Sequence, residues 1–235
     1  FIPGSGCARC HKYTPPVLSS LGRAVRTRYT SGMSDDRLLL SRLRDRLKDY
    51  RPDTDRVDAA VLVPVTEETE PHIILTRRAS HMSSHAGEVA FPGGKCDSTD
   101  ASIIATALRE SREEIGLPEQ SVEVVGELDI FVSKVGLRVQ PIVGMVAPDQ
   151  LLIPNPDEIE SIFRVPVEFF LNARVSYTHR FRFMGQDVTV PSFNYGDYVI
   201  WGLTAFMIVD LMKRVYDHEV EFRWPSPVSD LIKEK

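Results

Sequence analysis

The chain has 235 residues, a formal net charge of −5 and 43% hydrophobic residues. These values suit one globular domain with short extensions, and the lack of a basic excess argues against nucleic acid as a general partner. The longest strongly apolar tract, residues 198–212, is shorter than the roughly 20 residues that cross a bilayer, so we expect no membrane span. Only three cysteines are present, which favours a reducing compartment and predicts a cytoplasmic protein.

Residues 1–32 contain no acidic side chain and are rich in Ser, Thr, Pro and Arg. This composition predicts a disordered extension, with a mitochondrial transit segment as the alternative. Our hypothesis is that Met33 is the natural initiator and that the preceding residues derive from a vector or from upstream translation. We therefore divide the chain into residues 1–32 as an extension, 33–215 as the folded domain and 216–235 as a tail.

Hydrophobic periodicity predicts an alternation of helices and strands along the domain. The predicted helices are 35–49, 101–115 with Asp100 as N-cap, 167–171 and 200–215; the predicted strands are 59–65, 72–76, 122–132, 137–146, 177–183 and 188–193. Interleaved strands and helices without internal repeats indicate an α+β fold, in which a mixed sheet is covered on both faces.

A basic loop follows the second predicted strand and leads into a glycine-rich turn. The loop carries Arg77, Arg78, His81 and His85, and the turn ends in Gly93-Gly94. Each basic residue alone is typical of a solvated surface, but their concentration before this turn predicts contact with an anionic ligand.

The helix after the turn carries three carboxylates on one arc. Glu110, Glu113 and Glu114 stand at i, i+3 and i+4, a spacing at which like charges destabilise a helix. The largely apolar arc that contains Ala107 and Ile115 is expected to face the sheet, with the acids pointing away from it. A hard divalent cation, Mg²⁺ or Mn²⁺, explains such an oxygen-rich cluster.

These residues resemble the signature of the Nudix hydrolases, which runs from a glycine through a glutamate to Arg-Glu, two further residues, Glu-Glu, one residue and Gly. Gly93-Gly94 matches its start, and residues 109–117 match its end. Asp100 stands in place of the first glutamate with one extra residue before Arg109, and Ser111 replaces an apolar residue. The resemblance implies an α/β/α sandwich with a mixed central sheet.

Residues 74–94 also resemble a second signature, which is found in the bacterial type of the coenzyme A pyrophosphatase branch of that family. The segments Leu75-Thr76, Arg78-Ala79, Gly87 and Phe91-Pro92-Gly93-Gly94 keep the expected order and spacing, whereas Ser83 stands where a second arginine is expected. The resemblance implies hydrolysis of coenzyme A or its thioesters to 4′-phosphopantetheine, or its acyl form, and adenosine 3′,5′-bisphosphate.

The resemblance also implies a set of functional residues. Glu110 and Glu114 are the expected metal ligands, followed by Glu113 and by the backbone carbonyl of Gly93 or Gly94. Arg109 is expected to orient a neighbouring carboxylate, and either Glu110 or Glu158 to act as general base. The expected substrate-binding residues are Arg78, Arg77, His85 and Gly87.

The same signature is compatible with two other functions. One is a Nudix pyrophosphatase for ADP-ribose, dinucleotides or oxidised nucleotides, and the other is a catalytically silent Nudix domain that binds a ligand. In each case the expected partner is a small nucleotide. The sequence does not determine the oligomeric state, and a homodimer is compatible with it.

Overall fold

The computed structural model describes residues 35–52, 56–173, 176–183 and 186–218, which all belong to one unit, Met33–Lys235. The predictions about residues 1–32, Met33 and the end of the tail lie outside the described residues. No helix in the described ranges is long and apolar enough to span a membrane.

Four α-helices and eleven strands make up the described part of the chain. In chain order they are α1 Asp35–Leu47, β1 Ala59–Thr66, β2 His72–Arg78, β3 Val89–Ala90, β4 Gly93–Lys95, α2 Ile103–Ile115, β5 Glu123–Glu127, β6 Phe131–Val132, β7 Arg138–Val146, β8 Ile159–Pro166, α3 Val167–Asn172, β9 Ser176–Phe183, β10 Gln186–Tyr195, β11 Tyr198–Trp201 and α4 Gly202–Tyr216.

The larger sheet is mixed. Its main order is β3-β2-β1-β7-β5, with β4 on β1, β6 on β7 and β8 on β2. Strands β1 and β7 are parallel, and the other pairs are antiparallel. Strand β1 pairs with β4 at residues 59–61 and with β2 at Val65. The sheet therefore forks along β1, and the glycine-rich β4 occupies one arm of this fork.

Alternating side chains bury both faces of this sheet, as the sandwich prediction requires. On one face, Leu62 of β1 and Ile142 of β7 belong to a cluster with Ala107 and Ile115 of α2. On the other face, the next residue of each strand, Val63 or Val143, belongs to a second cluster. This cluster also contains Leu43 and Leu47 of α1 and Leu211 of α4. The predicted α/β/α architecture is confirmed.

The predicted hairpin near the end of the domain is confirmed as β9 and β10, which pair antiparallel from Gln186↔Phe183 onward. The third strand of this small sheet, β11, corrects the predicted helix 200–215. Ile200 pairs with Phe193, and Trp201 pairs with Ser192. Gly202 then adopts φ +65°, so the helix begins two residues later than predicted.

Further differences concern the larger sheet, in which the short strands β3 and β4 were not predicted either. Strand β2 continues through Arg77 and Arg78, which had been assigned to a loop, because β8 pairs along its whole length. Strand β8 itself was not predicted. The predicted strand 122–132 is divided into β5 and β6, because the Leu128 N–H bonds to the Pro141 carbonyl and the side chain of Gln140 bonds to the Leu128 carbonyl.

Candidate active site

The glycine-rich turn packs directly on strand β1 and on helix α2. The Leu62 N–H donates to the Pro92 carbonyl at 2.8 Å. A Cβ on Gly93 would lie 2.3 Å from the Ala60 carbonyl oxygen, and one on Gly94 would lie 2.4 Å from the Glu110 carboxyl carbon. Gly93 therefore needs glycine, because rigid backbone lies against it, whereas a side chain at Gly94 would have to push the flexible Glu110 carboxylate aside.

Helix α2 is capped by a residue other than the predicted one. The Ser102 hydroxyl accepts from the Ala105 N–H at 3.1 Å, so Ser102 is the N-cap and the prediction of Asp100 is wrong. At the other end, the helix stops at Ile115 as predicted, since Gly116 has φ +65° and its N–H donates to the Arg112 carbonyl at 3.0 Å. Asp100 instead binds the side chain of Arg109, which belongs to the helix.

Arg109 connects Asp100 with the acidic arc of α2. Its guanidinium donates to both Asp100 oxygens, at 2.9 and 3.0 Å. It also donates to Glu110 at 2.9 Å and to Glu113 at 3.1 Å. The bond to Arg109 holds the pKa of Asp100 well below its ordinary range. Arg109 thus fixes the carboxylates around it, which is the geometry that an orienting residue needs.

Glu114 is buried, with only 3% of its surface exposed. Its Oε2 accepts from the Gly93 N–H at 3.1 Å, and its Oε1 accepts from Arg78 Nη1 at 3.2 Å. Burial raises the pKa of Glu114 to about 7, and the charges of Glu158 and Glu110 add to the rise, while the Gly93 N–H and Arg78 oppose it. The expectation that all three acids point away from the sheet is wrong for Glu114, which faces the turn.

The other two helix carboxylates differ in exposure. Glu110 is half-buried beside Gly94, and burial raises its pKa, with further contributions from Glu113 and Glu158 that the bond to Arg109 opposes. The side chain of Glu113 is half exposed and is held by Arg109 and Arg112. The structure therefore brings Glu110 and Glu114 to the turn, whereas Glu113 lies at the edge of the site.

Glu158 lies just before β8 and is electrostatically coupled to both of the inner carboxylates. Its carbonyl accepts from the Ala79 N–H at 2.8 Å, and its N–H donates to the Asn155 carbonyl at 3.0 Å. These backbone bonds attach the 148–157 loop to the end of β2. Glu158 is thus within electrostatic range of the site, although 44 positions separate it from Glu114 in the sequence.

The basic loop between β2 and β3 closes on itself beside the site. The Arg78 N–H donates to the Glu88 carbonyl at 3.0 Å, and the Gly87 N–H donates to the Arg78 carbonyl at 3.1 Å. His85 has φ +56°, and its Nδ1 lies 2.7 Å from a Glu88 oxygen. Gly87 has φ +71°. The loop leaves and re-enters the sheet at one place, next to the carboxylates.

The two adjacent arginines at the end of β2 have different partners. Arg78 reaches Glu114, whereas the partly exposed Arg77 lies 3.7 Å from Glu160. The contact between Arg78 and Glu114 was missed by sequence reasoning, and no local pattern signals it because 36 positions separate the two residues. The anchoring of Arg109 by Asp100 was also missed, but the place of Asp100 in the Nudix signature offered a signal.

The donor set of the turn and helix fits a hard divalent cation. No group of three His, Cys, Asp or Glu side chains within the described ranges is already arranged to hold a metal ion. Glu110 and Glu114 nevertheless stand one helical turn apart against Gly94 and Gly93, and burial together with the charges of neighbouring carboxylates raises the pKa of both. An oxygen-binding cation beside them would relieve both effects.

Comparison with known proteins agrees with this geometry. The family model of the NUDIX domain matches residues 56–181, which is more than half of the chain. The chain belongs to the Nudix hydrolase family. It is therefore a hydrolase that acts on pyrophosphate bonds, in a family whose members generally use divalent metals such as Mg²⁺ or Mn²⁺.

Among its relatives is a Nudix hydrolase named NudL from Photorhabdus laumondii, which is 44% identical over 157 residues, covering 67% of this chain and 84% of the relative. NudL from Enterobacter sp. is 40% identical and covers 68% of this chain and 83% of the relative. NudL from Cronobacter sakazakii is 38% identical and covers 78% and 98%, respectively.

Two solved structures are also similar to this Nudix hydrolase. A MutT/nudix family protein from Enterococcus faecalis has 17% identity and a TM-score of 0.45, covering 72% of this chain and 66% of that one. The NUDIX domain of Shewanella oneidensis NrtR, solved in complex with ADP ribose, has 19% identity and a TM-score of 0.37, covering 52% and 82%.

Proposed function

We propose that this Nudix hydrolase cleaves the pyrophosphate bond of coenzyme A or its thioesters, with Mg²⁺ or Mn²⁺ as cofactor. The observation that carries the proposal is the contact of Arg78 with Glu114. Arg78 belongs to the segment that resembles the coenzyme A signature, and Glu114 belongs to the Nudix signature. This pair of side chains therefore connects the end of β2, which we propose to contact the substrate, with the proposed reaction site.

In this proposal Glu110 and Glu114 bind the metal, with Glu113 and the carbonyl of Gly94 as further ligands. The bound metal would neutralise the pyrophosphate oxygens and favour deprotonation of the attacking water. Arg109 keeps Glu110 in place through the bonds that also hold Asp100. Arg78, Arg77, His85 and Gly87 form the side of the site that receives the phosphate groups of the substrate.

The reaction is a hydrolysis at phosphorus. The water oxygen forms a bond to one phosphorus while the bond from that phosphorus to the bridging oxygen breaks, and the bridging oxygen leaves with the other phosphate. A carboxylate of the site accepts the proton of the water, and the two available are Glu110 and Glu158. The products are 4′-phosphopantetheine, or its acyl form, and adenosine 3′,5′-bisphosphate.

The substrate class is tested by comparing coenzyme A, acetyl-coenzyme A, NADH and ADP-ribose at equal concentration, with Mg²⁺ or Mn²⁺, and identifying the products by mass. We expect the highest kcat/KM for coenzyme A or its thioester. A higher kcat/KM for ADP-ribose or NADH would overturn the coenzyme A assignment in favour of the second Nudix class. The cytoplasmic location and the homodimer stay predictions.

The roles of the inner carboxylates predict the effect of removing their charge. Glu110→Gln and Glu114→Gln should each lower metal-dependent kcat by about 10²–10⁴-fold while circular dichroism shows an intact fold. The matched control is Glu119→Gln, since Glu119 pairs with Arg112 away from the turn and should keep wild-type kcat. Wild-type turnover in both site variants, measured with excess Mn²⁺, would contradict the assignment.

A further inference from the structure

Arg78 has an incomplete set of hydrogen-bond partners. Its Nη1 donates to Glu114 at 3.2 Å, and its Nη2 lies 3.0 Å from the thioether sulfur of Met82, which is a weak acceptor. Its Nε is buried and has no hydrogen-bond partner among the residues that the structure describes. A guanidinium has five N–H donors, and the present partners of Arg78 satisfy them poorly. A stronger acceptor could therefore replace these partners.

The backbone of Arg78 is fixed while its side chain retains access to solvent. Its N–H and carbonyl are bonded to Glu88 and Gly87, and the residue pairs with Ile159 of β8. The side chain is 19% exposed, against 4% for that of Glu114. A change of partner therefore needs only rotation about side-chain bonds, with the strand in place.

A divalent cation and the Arg78 guanidinium both require Glu114. The second Glu114 oxygen is already bonded to the Gly93 N–H, so the oxygen that faces Arg78 is the one for which the two cations compete. Phosphate oxygens bind a guanidinium through two parallel bonds, which one carboxylate oxygen at 3.2 Å does not provide.

We infer that Arg78 exchanges partners during the reaction cycle: binding of the divalent metal at Glu114 displaces the guanidinium, which then binds a phosphate group of the substrate. Arg78 thereby links metal binding to recognition of the pyrophosphate, and the metal binds before the substrate is fully held. The inference rests on the proposed metal-dependent hydrolysis but not on coenzyme A as the substrate.

The exchange predicts opposite effects on two binding constants in one variant. In Arg78→Ala and Arg78→Gln, the affinity for Mn²⁺ alone should increase about fivefold or more, because the competing cation is gone. The affinity for methylenediphosphonate, a non-hydrolysable pyrophosphate, should decrease about tenfold at saturating Mn²⁺. Free Mn²⁺ is measured by electron paramagnetic resonance at pH 8.5, and phosphonate binding by calorimetry.

Arg77→Ala is the matched control for the metal constant, since it removes the same charge one residue away and should leave Mn²⁺ affinity unchanged. If Arg78 merely supports Glu114, both affinities fall in the Arg78 variants, and the inference is overturned. An unchanged Mn²⁺ affinity in folded Arg78→Ala and Arg78→Gln overturns it equally. None of these measurements uses coenzyme A, so failure of the substrate assignment would be recognised separately in the turnover assay.

Discussion

Two adjacent glycines perform different tasks at the residue scale. Gly93 lies against the backbone of β1, where an added Cβ would meet the Ala60 carbonyl and Val61 Cα. Gly94 lies against the carboxylate of Glu110, the end of a flexible side chain. The first glycine therefore supports the fold, and the second leaves room for a functional carboxylate.

This difference predicts that alanine has separate effects at the two positions. Gly93→Ala should lower the free energy of unfolding by about 2 kcal/mol or more, because backbone atoms must move. Gly94→Ala should leave it within about 1 kcal/mol of wild type but weaken Mn²⁺ binding by about 10–100-fold, because Glu110 is pushed aside. Urea unfolding and Mn²⁺ titration measure both quantities, and equal unfolding curves for the two variants would contradict the distinction.

At the scale of elements, neighbouring residues determine where helix α2 begins and ends, whereas its side chains contact residues that are distant in the sequence. Ser102 and Gly116 satisfy its ends, while its face carries Ala107 and Ile115 into the core. The hydroxyl of Ser102 is the only side-chain cap that the helix uses at its N-terminus in the described structure. Asp100, two residues earlier, serves Arg109 instead.

Replacement of the cap should therefore affect stability and spare the site. Ser102→Ala should lower the free energy of unfolding by about 1 kcal/mol, whereas Ser102→Asp should retain most of it because a carboxylate also accepts from Ala105. Thermal and urea unfolding measure the difference. The kcat of both variants should stay at the wild-type value, and a loss of turnover in Ser102→Ala would show that the cap also positions the acidic arc.

At the scale of the whole molecule, a cluster of charged groups joins distant parts of the chain on the face opposite α2. Arg214 of α4 bonds to Asp210 at 2.8 Å and to Asp129, and its guanidinium carbon lies 4.3 Å from the centre of the Tyr50 ring. Tyr50, which follows α1, donates to Asp129. Burial raises the pKa of Tyr50 to about 12, with the bond to Asp129 contributing. The cluster links α4 and the segment after α1 to the loop after β5.

The buried Glu114 predicts how the stability of the whole domain changes with pH. Because its pKa rises from an ordinary 4.5 to about 7 on folding, its contribution is fully present below pH 4.5 and is lost as pH increases through 7. Relative to Glu114→Gln, the wild type should lose of the order of 3 kcal/mol of unfolding free energy between pH 4.5 and 8.5 in the presence of EDTA.

Added Mn²⁺ should reverse that loss, since metal and proton compete for the same carboxylate. The increase in Tm caused by Mn²⁺ should be larger at pH 8.5 than at pH 5, and Glu114→Gln should show little of it. Parallel pH curves for wild type and Glu114→Gln without metal would contradict the buried position of this carboxylate.

The sequence by itself determined the family and most helices and strands, and it predicted a candidate site at the glycine-rich turn and the acidic helix. Periodic apolar residues are local signals, and so are Gly93-Gly94 and the i, i+3, i+4 spacing of the three acids. The same local information could not distinguish Ser102 from Asp100 as the cap, because both residue types accept from helix N–H groups and the choice depends on Arg109 nine positions later.

Only the tertiary structure decided which carboxylates are buried and which arginine side chains contact them. Strand β8 lacks a clear alternating pattern, and it forms because β2 offers an edge along its whole length. The same is true of the pair Arg78–Glu114 and the approach of Glu158, which join segments far apart in sequence. Chain folding brings such groups together through pairing and burial, and neither is encoded in the spacing of neighbouring residues.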